Sequence, residues 1–103
     1  MKMIVYNVTV NVAQEVAAEW LEWMKADHIP KVMATGHFVN SKMLKMLSEH
    51  PDADGSTYAI QYYSNSIEEL NNYLNNKASA LQKEHIDKYG DRCLAFRTIL
   101  EEI

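Results

Sequence analysis

The sequence predicts an α+β sandwich, a four-stranded antiparallel sheet carrying helices on one face. Three observations lead there. Apolar residues alternate with a period of two at both ends of the chain and through its middle. Two stretches between them change to the helical period. The resulting order is β-α-β-β-α-β, the split βαβ or ferredoxin-like arrangement. Right-handed crossovers then set the strands in the order 4-1-3-2, with every neighbour antiparallel. A single such domain is expected over residues 1–103.

The first strand shows the alternation best: Ile4, Tyr6, Val8, Val10 and Val12 on one face, Val5, Asn7, Thr9 and Asn11 on the other. Asn11 and Gln14 are spaced as a capping pair for the helix that follows. From Ala13 the period lengthens, and Val16, Ala17, Trp20, Trp23 and Met24 share a stripe opposite Glu15, Glu19, Glu22 and Lys25. Asp27 is placed to cap a second short helix, His28 to Ala34, with Pro30 in its first turn and Gly36 as its stop.

His37 to Leu47 reads as the second strand and Ser56 to Tyr63 as its return, joined by the turn cluster His50 to Gly55 with its Asp54-Gly55 hairpin signal. Ser66 and Glu69 form a capping box. Ile67, Leu70, Leu74, Ala78, Leu81, His85 and Tyr89 then recur at helical steps, as one helix or two in tandem. Arg92 to Glu101 alternates again as the last strand.

Composition removes several function classes. The net charge of -4 comes with scattered acids and no basic block, so neither nucleic acid nor an anionic membrane surface is an expected partner. The longest apolar run falls far short of the ~18 residues of a membrane span. The chain's start is expected to be a strand and not a signal peptide. Cys93 is the lone cysteine, so no disulfide framework is possible within the chain, and a cytoplasmic setting is expected.

Helices are expected over the face with Ile4, Tyr6, Val8, Ile60, Tyr62, Leu94 and Phe96. The opposite face would carry Val5, Asn7, Thr9, Met43, Ala59, Gln61, Tyr63, Cys93, Ala95, Arg97 and Ile99. It has too many small and apolar positions for a fully wetted sheet, and a second copy is the economical cover. A homodimer with sheets face to face is therefore expected. On that face Asn7, Gln61 and Arg97 would meet, either as a polar patch fixing dimer register or as a cradle for a small polar ligand.

Candidate chemistry concentrates in the stretch WLEWMKADHIP, Trp20 to Pro30. Trp20, Trp23, Met24 and His28 would face Tyr6, Tyr62 and Phe96, as a plain aromatic core or as a slot for a small aromatic or apolar ligand. The ligand-binding set read from the residues is thus Trp20, Trp23, Tyr62, Asn7 and Arg97. His28, near a helix end, is expected to have raised proton affinity. His85 sits on the apolar stripe between Leu81 and Tyr89, where it either satisfies the core or lines a cavity. These two histidines are the candidate catalytic groups. No HxH, HxxxH or HExxH spacing, phosphate loop or nucleophile elbow occurs, so no metal and no cofactor is expected.

Read together, MIVYNVTVNV, WLEWMKADHIP, ATGHF, STYAIQYY and LQKEHIDKYGDRCLAFRTILEEI resemble the bacterial domain-of-unknown-function family 4286. The resemblance covers nearly the whole chain, and HIP at 28–30 and AFRT at 95–98 are its most specific parts. It implies a dimeric α/β-barrel protein of Bacteroidetes origin. That wider architecture includes cofactor-free quinol monooxygenases and haem-degrading enzymes. The latter use an asparagine on the first strand, which Asn7 matches, with a tryptophan and a histidine on the second helical region. Here that region has His85 but no tryptophan, which argues against haem degradation. Three readings stay open: a small-ligand binder, a cofactor-independent monooxygenase-like enzyme, and a structural or regulatory interaction domain.

Overall fold

β1, Ile4–Val12, is the most apolar strand on one face, and it takes a central place between two partners in the computed structural model, which describes residues 2–48 and 54–103. It pairs antiparallel with β3, Ser56–Ser64, from Ile4 opposite Ser64 to Val12 opposite Ser56. On its other side it pairs antiparallel with β4, Cys93–Glu101. β2, Asn40–Lys45, completes the sheet against β3, giving the order β2-β3-β1-β4, which is the expected 4-1-3-2 read from the other edge. The fold is ferredoxin-like α+β.

α1, Gln14–Trp23, starts without a side-chain cap. Asn11 does not serve as one: its amide donates to Thr57 Oγ1 at 3.1 Å, and Gln14 donates to Ser56 Oγ at 3.2 Å, so both tie the helix start to β3. The expected break at Asp27 is also absent. α1 runs into a π-helical turn, Met24–His28, and this into α2, Ile29–Ala34, with Pro30 in the first turn of α2. Asp27 pairs with Lys31 instead of capping. Gly36, at φ 83°, follows α2 in the left-handed conformation that suits glycine.

α3, Ile67–Asn76, begins with the Ser66 half of the expected capping box, the Glu69 amide donating to Ser66 Oγ at 3.1 Å. The Glu69 carboxylate pairs with His37 Nδ1 at 2.8 Å. Lys77 leaves helical geometry and divides the stretch, so the tandem alternative holds, with α4 spanning Ala78–Tyr89. A 3-10 turn, Gly90–Arg92, leads into β4. The hairpin residues 50–53 of the predicted turn lie outside the described residues. Among those described, no helix is long and apolar enough to cross a membrane.

The pairing registers correct two face assignments. Directly paired residues in an antiparallel ladder point to the same side. Val8 faces Arg97, Val10 faces Ala95 and Val12 faces Cys93, so Cys93, Ala95, Arg97 and Ile99 lie on the helix side. Leu94 and Phe96, expected inside, lie on the outer face and are 67% and 64% exposed. Met43 lies opposite Ile60, on the inner face and not the outer one, and packs against the core. Phe38 enters the core from just before β2, packed on Tyr6, Tyr62 and Tyr73. The core itself lies between the inner face of β1 and β3 and the helices, with Trp20, Met24, Leu70, Tyr73, Leu81 and Tyr89 closing over it.

Candidate functional site

Trp20 sits at the middle of the stripe on α1, is fully buried, and lies tilted against Tyr58, the ring centroids 5.2 Å apart. Its indole N–H has no water to reach and needs an acceptor. His85 supplies it from α4, with Trp20 Nε1 donating to His85 Nε2 at 2.9 Å. One turn further along the first helix, Trp23 packs on His28, His85 and Tyr89, with ring centroids 5.0, 5.8 and 5.5 Å away.

The π turn makes the first of those contacts. In an α-helix, at about 100° per residue, positions five apart diverge by roughly 140°. In the π turn the Ile29 amide reaches back to the Met24 carbonyl, a five-residue step that brings such positions onto one side. His28 therefore lies over Trp23 and beside His85, 5.9 Å from it between centroids.

The two imidazoles border a cleft of about 40 Å3 between helices and sheet, room for about three water molecules. Tyr6, Tyr62 and Tyr73 form its aromatic wall, Gln82, His28 and His85 its helical rim, and Arg97 stands on the sheet below. No Asp or Glu lines it among the described residues. Burial lowers the proton affinity of His28, outweighing the carboxylates of Glu84 and Asp27. His28 is followed by α2 and is not at a free helix end, so the expected dipole-raised affinity is not found. Burial, with the nearby His28 and Arg97, pushes His85 down to about 4. Burial raises the Tyr62 and Tyr73 phenols well above their ordinary range. Near neutral pH both imidazoles are uncharged and the phenols keep their protons.

Of the residues expected to bind a ligand, Tyr62 and Arg97 line the cleft, along with His28 and His85. Trp20 and Trp23 stand behind the histidines as supports. Asn7 is elsewhere: it lies on the outer face opposite Gln61, its amide donating to Thr9 Oγ1 at 3.0 Å, while Gln61 accepts from Tyr63. The expected Asn7, Gln61, Arg97 cluster is thus divided by the sheet. Tyr73 and Gln82 escape the sequence reading. The helical stripe through Leu74 passes Tyr73 by, and the three-residue step from Leu70 to Tyr73 is the signal that points to it.

The two candidate histidines do come together, but Glu84, the acid that could join them, is turned to Lys31 Nζ at 2.9 Å. No group of three His, Cys, Asp or Glu side chains is placed to hold a metal ion among the described residues. Cys93 is buried, which pushes its thiol up to about 11 and keeps it protonated.

A ferredoxin-like sandwich with one donor-rich cleft under its helices is the class of protein that fold and site define. The chain belongs to the family described as Domain of unknown function (DUF4286), whose model matches residues 3–103. No curated protein matches it. Among solved structures it is similar to an ethyl tert-butyl ether d (EthD) family protein from Bacillus halodurans, at 16% identity and TM-score 0.74, covering 97% of this chain and 99% of that one. It is similar also to a dimeric ferredoxin-like protein from an uncultured marine organism, at 6% identity and TM-score 0.65, covering 99% and 95%. A third is a proposed antibiotic biosynthesis monooxygenase from Bacillus cereus, at 12% identity and TM-score 0.63, covering 99% and 94%. At such identities the likeness is one of fold.

Proposed function

We propose that the protein is a homodimer that binds a small molecule in the cleft between helices and sheet, with His28, His85 and Arg97 around the bound group. The observation that carries this reading is His28 Nδ1, buried in the protein without a hydrogen-bond partner at the edge of an aromatic-lined cleft. An unpaired buried nitrogen costs about 1–3 kcal/mol. A ligand polar group gives it a partner. The homodimer is supported by the exposed apolar outer face and by the dimeric state of one similar ferredoxin-like structure.

The size of the cleft sets the scale of what enters it. About 40 Å3 accommodates a compact polar head group and not a whole drug-sized aromatic molecule. Any larger part of the ligand lies along the exposed inner side of β4, past Ala95 towards Ile99.

A second reading is favoured by the same nitrogen. A neutral imidazole with a free Nδ1 can take a proton from a bound acid, which suits a cofactor-independent oxygenase or isomerase. Native mass spectrometry of protein purified from its own host tests the first reading, the expected spectrum being a dimer with a retained small molecule. A bare monomer would overturn it. His28→Ala and His85→Ala test the second: if both leave ligand affinity and turnover unchanged, proton transfer at these rings is wrong.

A further inference from the structure

The side chains around the cleft define what chemistry it accepts. An indole nitrogen can only donate. Because Trp20 Nε1 donates to His85 Nε2 at 2.9 Å, that ring nitrogen must carry its lone pair there. The proton of neutral His85 is therefore on Nδ1. Trp20 is fully buried, and protonating Nε2 would set two N–H groups against each other. His85 is thus a fixed donor and cannot serve as a base while this bond stands. Among the described residues its Nδ1 has no hydrogen-bond partner.

The charge of the cleft points the same way. Lys31 is engaged by Asp27 at 3.3 Å and Glu84 at 2.9 Å. Arg97 makes no ion pair or hydrogen bond among the described residues, and no carboxylate shares the cleft with it. A guanidinium presents a planar fork that matches two oxygens of a carboxylate. A cationic ligand would meet the like charge of Arg97 with no carboxylate in the cleft to offset it.

We infer that the bound group is an oxyanion, a small carboxylate or the carboxylate head of a flat organic acid, held by Arg97 with one oxygen accepting from His85 Nδ1–H. This rests on the cleft being the binding site, and it names the ligand class. Trp20 is then a positioning residue: it fixes the tautomer of His85 and touches no ligand.

The test compares phenylacetate with phenylacetamide, two probes of the same shape that differ in charge. Each is titrated into the full chain at millimolar concentration while the Trp20 indole N–H and the histidine ring nitrogens are followed by NMR. Phenylacetate is expected to bind about tenfold tighter and to move the His85 Nδ1 signal. In Arg97→Gln the preference for the anion should vanish, and Arg97→Lys should restore part of it. Arg97 is exposed, so neither change threatens the fold. If the amide binds as well as the acid and moves the same signals, the oxyanion assignment falls while the cleft stands as the site. If neither probe moves those signals, both fall.

Discussion

Trp20 and His85 illustrate how one contact settles a side chain's chemistry. Each alone would be a liability: a buried indole N–H without an acceptor, a buried imidazole that resists its charge. Paired, they satisfy each other, while burial, with His28 and Arg97 nearby, keeps His85 neutral, and this has a consequence for stability. The folded-state value of about 4 lies below the ordinary 6.5, so between those values the unfolded chain binds the proton that the folded chain refuses. His85's stabilisation is therefore complete above about pH 6.5 and is lost as the pH falls towards 4. His28 shifts in the same direction and adds to it. Since the His85 ring keeps some contact with solvent, the expected loss is about 1–2 kcal/mol and not the full linkage. His85→Gln leaves an acceptor for the indole but no titrating group. Urea-unfolding midpoints at pH 7 and 4.5 should fall less in that variant than in the parent chain, and equal losses would contradict the linkage. The sequence shows both residues on apolar stripes. It does not show their meeting, since 65 positions separate them and only the packing of α1 on α4 joins them.

Elements were legible where a local signal had no rival. The alternation of β1, the Ser66 cap and the helical repeat after it all stand in the structure. The faces of β4 were not legible, because Leu94, Phe96 and Leu100 are as apolar as a core strand demands. Its parity is fixed instead by pairing, with Val12 opposite Cys93 and the Ala13 amide donating to the Arg92 carbonyl at 2.9 Å. The π turn was likewise hidden: its residues have the composition of an ordinary helix end, and the five-residue step shows only in the Ile29 to Met24 backbone bond and the Trp23 to His28 contact. Gly55 shows the opposite case, a hairpin glycine whose need is geometric. Its φ is +84°, and a Cβ there would collide with the Val12 carbonyl oxygen, a contact with backbone that no rotamer relieves. Gly55→Ala is expected to destabilise the chain by about 2–4 kcal/mol, combining left-handed strain with displacement of the strand end. Thermal unfolding of that variant beside the parent measures it, and a loss under about 0.5 kcal/mol, the scale of an indifferent surface change, would show the turn to be adaptable.

At the scale of the whole molecule, all the helices lie on one side of the sheet and leave the other side to be accounted for. Leu44, Leu94, Phe96 and Leu100 stand exposed there, while Asn7, Asn11, Gln61 and Tyr63 are already engaged in hydrogen bonds within the same face. Lys42, Asn40 and Thr98 share that face and are exposed, but the apolar side chains around them still offer a matching surface an area to cover. The same face of a second copy is self-complementary about a twofold axis, so each exposed side chain counts twice in the contact. Phe96→Lys tests this with little cost to the protomer, because the ring touches solvent over 64% of its surface. Near the axis the change would bring two ammonium groups towards each other and remove two aromatic rings. The parent chain is expected to scatter as a particle of twice its 11.9 kDa at micromolar concentration, and the variant as a folded protomer with unchanged circular dichroism. Should the parent itself run at the protomer mass, the outer face is simply a partly apolar sheet in water. The cleft on the other side, built wholly from one chain, would then have to be explained without a partner copy.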